Sequence, residues 1–128
     1  MTGQDETIPE NVRRFIETYI DEVPQLETLL MMSAAQGSTW LASEVAARNY
    51  VTLPRAREIL DALRRRGLLS ADETHFRYEP VTPQLRTLVD EVAGYYRSNL
   101  SRVATFIHSK PSASIKEFAR AFEFKKDR

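Results

Sequence analysis

The chain has 128 residues, 42% hydrophobic and 28% charged, with 18 basic side chains against 18 acidic ones. Such a length and balance suit one folded domain with a real core and exclude disordered or fibrous chains, while the even charge carries no global signal for nucleic acid. Without a cysteine there is no disulfide framework, thiolate metal site or cysteine nucleophile.

No stretch approaches the ~20 apolar residues that span a bilayer, and the first residues lack the charged-then-apolar order of a signal peptide. No membrane partner and a cytoplasmic location are therefore expected. Residues 1–8 are polar and expected to fray. A helix starts at or just before Pro9, with Val12, Phe15, Ile16, Tyr19 and Ile20 on its apolar face, and ends near residues 21–23 ahead of Pro24. A second helix runs from Pro24 to Gly37, turning Leu26, Leu29 and Leu30 inward; Met31 and Met32 read as core fillers.

From Thr39 to Tyr78 the chain is most informative. An extended lead-in carries the single Trp, Trp40. Val45, Ala46, Val51, Ala56, Ile59, Leu60 and Leu63 then recur at helical intervals, with a break around residues 49–52, so two short helices share one core. Ala42, Ala46, Ala47 and Ala56 are small enough for the pair to cross closely. Thr52 suits the N-cap of the second helix, Pro54 falls in its first turn, and Gly67 supplies the positive φ that ends it. Leu68 and Leu69 read as one strand, Phe76, Arg77 and Tyr78 as its partner, and residues 70–74 as a polar hairpin tip.

After Pro80 and Pro83, Thr82 is placed to cap the longest helix. Its apolar stripe comprises Leu85, Leu88, Val89, Val92, Tyr96, Leu100, Val103, Phe106 and Ile107. A helix of that length exceeds what so small a domain covers. It either packs in part on another copy, with a kink near Gly94 or Ser98, or folds back over the first helix of its own chain. Pro111 ends it, and a last helix capped by Ser112 or Ser114 places Ile115, Phe118, Ala119 and Phe122 on one face. With Phe124, these rings need burial against the long helix or a partner subunit. Leu85, Val89, Val92, Tyr96, Leu100, Val103, Phe118 and Phe122 are thus the candidate dimer or packing residues.

The pattern of Trp, small-residue helix, Thr-x-Pro cap, A-R-x-I-L-x-x-L-x-x-x-G-L-L, polar turn and aromatic strand resembles bacterial winged helix-turn-helix transcriptional regulators, the MarR-like and related small families. The motif covers roughly a third of the chain, and the flanking helices extend the similarity to most of it. The resemblance implies a mainly α fold with a small β-hairpin wing: an N-terminal helix (1–23), a winged helix-turn-helix domain (24–80), and long C-terminal helices for packing or dimerisation (81–128).

Charge is uneven in place. Residues 1–30 hold seven acids against two arginines, the recognition-helix stretch 53–66 five arginines against two acids, and residues 97–128 eight basic residues against three acids. In helix-turn-helix docking the leading turn of the recognition helix reaches base edges. Thr52, Arg55 and Arg57 occupy that turn, and arginine suits bidentate contact with guanine or phosphate. Arg64 and Arg65 lie two or three turns on, where DNA backbone contact competes with a plainer role, shared with Arg66, as favourable charges at a helix C-terminus. Asp72 and Glu73 tip the wing where Arg or Lys is usual, leaving His75 and Arg77 as its available contacts.

Catalysis finds little support. His75 and His108 sit on separate elements without metal or carboxylate spacing, the four glycines form no phosphate loop, and the paired acids are sequence neighbours that face different ways on a helix. Neither an enzyme nor a cofactor is expected. Two functions remain open: a homodimeric regulator of double-stranded DNA, or a winged-helix module whose long and terminal helices bind a protein partner.

Overall fold

The computed structural model describes residues 8–110. The polar start and the expected helix bearing Phe118 and Phe122 lie outside the described residues. Within them the order is α1 (Glu10–Tyr19), α2 (Val23–Ala34), β1 (Thr39–Leu41), α3 (Ala42–Asn49), α4 (Leu53–Arg65), β2 (Leu69–Ala71), β3 (His75–Tyr78), α5 (Pro83–Ser98) and α6 (Leu100–His108).

α1 buries Val12, Phe15 and Ile16, the residues its 3.6-residue period brings to one side. Its end needs help, because the last carbonyls of a helix have no partner within it. Two distant cations supply it: Lys110 Nζ donates to the carbonyls of Ile16 at 2.7 Å and of Ile20, and Arg66 Nη1 to that of Tyr19 at 2.6 Å. Both also offset the negative end of the helix dipole. α2 starts with Pro24 in its first turn, and its buried polar groups are satisfied. The Asn49 amide donates to Thr28 Oγ1 at 2.9 Å, tying the end of α3 to α2.

The sheet has three antiparallel strands in the order β1-β3-β2. The expected hairpin is present, and the lead-in around Trp40 joins it as a third strand, with Trp40 opposite Phe76 and Leu69 opposite Tyr78. Behind the sheet, α4 buries Ala56, Ile59, Leu60 and Leu63 in the core shared with α2 and α3. Gly67 ends α4 at φ +83°.

The expected long helix is interrupted beside Ser98, one of the two places expected for a kink, and continues as a separate helix. α5 stops at Ser98, and Asn99 takes φ −140°, ψ 41°, its side-chain amide donating to the Tyr95 carbonyl at 2.9 Å. Leu85, Val89, Val92 and Tyr96 of α5 and Val103 of α6 are buried in the chain's own core, α5 lying along α1. Leu100 differs, with 53% of its surface exposed.

Candidate nucleic-acid interface

Helices α3 and α4 are joined by a tight turn. Tyr50 sits at the end of α3 in the left-handed conformation, φ 57°, ψ 43°, and the Val51 amide returns to the Ala46 carbonyl at 3.1 Å. A side chain costs about 1–2 kcal/mol in that conformation. Thr52 then caps α4, its hydroxyl oxygen accepting from the Arg55 amide at 3.2 Å, and Pro54 occupies the first turn. At the other end of the helix-turn-helix, Glu44 accepts from the Leu41 amide at 2.8 Å and fixes the start of α3.

The arginines that the sequence groups together are separated by the structure. Arg55 turns toward α2, donating to Glu22 and to Glu58 at 3.2 Å. Two residues on, and so about 200° around the helix, Arg57 is exposed and has no ionic partner among the described residues. It lines a groove of about 540 Å³ between the start of α3, α4 and the wing tip, with Ser43, Glu73, Thr74 and Phe76 on the other walls. Arg64 and Arg65 both pair with Asp61, Arg64 at 2.7 Å. Arg66 turns inward to Asp21 at 2.7 Å, to Gln25 at 3.2 Å and to the Tyr19 carbonyl, and is a structural residue. Arg77 stands exposed on β3, between Thr39 and Ser70 on the neighbouring strands.

The acidic wing tip has a structural cause. The Asp72 carboxylate accepts the Thr74 and His75 amides at 2.9 and 2.8 Å, the local turn for which aspartate is preferred. Those backbone bonds, His75 first, hold its carboxyl below the usual carboxylate range. Glu73 has no such role and remains exposed beside the groove.

Two residues of this region are not evident from the sequence. Arg48 stacks its guanidinium over Trp40, 5.3 Å from the ring centre. Tyr50 is 94% exposed. The signal for Tyr50 was a tyrosine just ahead of the Thr-x-Pro cap, where glycine or asparagine would fit the turn.

Among the described residues no group of three or more His, Cys, Asp or Glu is placed to hold a metal ion, and no helix is long and apolar enough to cross a membrane. A helix-turn-helix flanked by a three-stranded wing and backed by α1, α5 and α6 defines the winged helix-turn-helix class. Within that class, the chain has the fold of MarR-family proteins. It is similar to the crystal structure of a MarR family protein of Mycobacterium tuberculosis, with TM-score 0.52, 18% identity, and 97% of this chain and 87% of that one covered. It is also similar to a MarR family transcriptional regulator of Silicibacter pomeroyi, with TM-score 0.50, 18% identity, and 94% and 87% covered. No protein-family model matches the sequence. No curated protein matches it either.

Proposed function

We propose that the chain is a DNA-binding transcriptional regulator, cytoplasmic and homodimeric, that presents α4 to the major groove. The observation that carries this reading is Arg57: exposed, unpaired among the described residues, and one turn into the second helix of a helix-turn-helix, beside the wing. Thr52 and Arg57 then face base edges and phosphate, Arg77 meets the backbone from the wing, and Arg64 and Arg65 meet it further along α4. In a dimer the two recognition helices enter successive major grooves roughly 34 Å apart.

A second reading, a winged-helix module for a protein partner, is favoured by the pairing of Arg55, Arg64 and Arg65 with acids of the same chain and by Glu73 at the wing. Fluorescence anisotropy of a labelled duplex from upstream of the coding region, titrated at two salt concentrations, decides between them. Under the DNA reading salt weakens binding steeply, and Arg57→Ala lowers affinity and reduces the salt slope by about 1, the signature of one lost phosphate contact. Binding that stays weak at low salt and indifferent to Arg57→Ala would remove the DNA reading and leave the protein module.

A further inference from the structure

Tyr50 combines two features that the packing of the chain does not account for. Its backbone holds the left-handed conformation that glycine and asparagine adopt at least cost. Its ring is 94% exposed, and its hydroxyl has no hydrogen-bond partner among the described residues. Neither folding preference nor burial therefore explains a tyrosine there, and a strained residue with a free side chain points to something outside the chain.

Its position limits what that is. Tyr50 lies two residues after Arg48, on the last turn of α3, and two before Thr52, which caps α4. Between Leu41 and Val81 no other large apolar side chain is exposed. The other exposed large apolar side chains of the described residues stand elsewhere in the fold, Leu41 at the opposite end of α3, Val81 in the loop before α5 and Leu100 at the start of α6, so the ring does not continue a run of exposed apolar residues of the kind that docks a protein. It is a lone amphipathic side chain at the mouth of a helix-turn-helix, with exposed Arg48 before it and exposed Arg57 after it.

We propose that Tyr50 is a contact for the sugar-phosphate backbone of double-stranded DNA. The left-handed turn carries the phenol outward beside the start of α4, the hydroxyl donates to a phosphate oxygen, and the ring lies on the adjoining deoxyribose. Tyrosine belongs among the uncharged residues that position a protein on the duplex without reading sequence. This inference rests on the DNA-binding reading above and adds to it a residue outside the recognition helix.

The test measures folding and binding on the same variants. Because backbone contacts are independent of sequence, the probe is a fluorescein-labelled duplex of mixed sequence, roughly three helical turns long, at low salt. Tyr50→Asn relieves the backbone strain, so its melting temperature is expected to equal or exceed that of the wild type, while its affinity for the duplex falls about 10-fold. Its salt slope stays unchanged, because no charge is lost. Tyr50→Phe keeps the ring and loses the hydroxyl, and is expected to fall between the two. A merely structural role would move stability and leave affinity alone. If the wild type binds and Tyr50→Asn binds equally well, the contact is overturned and the DNA reading stands. If the wild type itself does not bind the duplex, both fall.

Discussion

Arg55, in the first turn of the second helix of the helix-turn-helix, is bound to Glu22 at the head of α2, 33 residues earlier in the chain, and also to Glu58. The arginine that the sequence offers for base contact is thus held by the protein's own acids. Glu22→Gln should loosen that hold without emptying the position. Under the proposed function, duplex affinity rises a few-fold in Glu22→Gln, and Arg55→Ala then costs more in that background than in the wild type. Titrating the four proteins of this double-mutant cycle checks it; additive effects would show that Arg55 does not change partners on binding.

At the far end of the same helix, Arg66 joins three groups at once: the Asp21 carboxylate, Gln25 and the Tyr19 carbonyl. They span the end of α1, the link to α2 and the first turn of α2, and the Arg66–Asp21 pair is partly buried. Arg66→Ala should lower stability by about 2 kcal/mol, since it removes the ion pair with Asp21 together with the hydrogen bonds to Gln25 and to the helix-end carbonyl of Tyr19. Arg64→Ala, which breaks an exposed pair with Asp61, should cost under about 0.5 kcal/mol. Arg66→Lys restores little, because one ammonium does not reproduce the planar fork that spans the three acceptors. Urea unfolding of the three variants gives the ranking.

The contrast between Arg55 and Arg66 shows what could be read from the sequence. Features set within a few residues were legible: the Thr52 cap, Pro54 in the first turn, the stop at Gly67 and the Thr82 cap each rest on local chemistry, and each is where the spacing placed it. Features set by distant partners were not. The attachment of Arg55 to Glu22 and the pairing of the three-residue strand around Trp40 with β3 depend on how the chain closes on itself. The interruption of the long helix falls beside Ser98, one of the two places expected for a kink, but that it divides the stripe into two helices at Asn99 was not legible. The apolar period runs through it undisturbed, while at Asn99 the backbone leaves helical values and its side-chain amide takes up the Tyr95 carbonyl four residues back.

Gly67 is a sharper test of local backbone chemistry. At φ +83° any side chain is strained, and a Cβ there would meet Val81 Cγ2 at 3.2 Å. Gly67→Ala should cost about 1–2 kcal/mol, read as a fall in melting temperature. Adding Val81→Ala should recover only the part due to crowding, since the unfavourable φ persists.

Two tyrosines make stability depend on alkaline pH. Tyr78 is pushed up from 10.0 to about 12, by burial first, partly opposed by Arg86 and reinforced by Asp90. Tyr96 is pushed to about 12 by burial and by its hydrogen bond to Glu27, 2.9 Å long. Between these limits the unfolded chain releases phenolic protons that the folded chain keeps. The stabilisation is therefore complete below pH about 10 and is lost as pH rises toward about 12, at up to roughly 1.4 kcal/mol per pH unit for each tyrosine. Tyr78→Phe should flatten that decline at no cost near neutrality, because its hydroxyl has no partner among the described residues. Tyr96→Phe should flatten it too, but lose about 1 kcal/mol near neutrality with the bond to Glu27. Urea midpoints of wild type and both variants across that range check the sign.

The bond from the Val81 amide to the Gly67 carbonyl, 2.9 Å, and that from Glu79 to Leu68, 3.1 Å, fasten the strand returning from the wing to the end of α4. Helix and wing are thereby the two jaws of a calliper whose screw is locked. The gap between them is a property of the chain, so whatever enters it must already have that width or be deformed to it. Under the proposed function, such a gauge would distinguish duplexes by groove width and stiffness even where no base edge is touched.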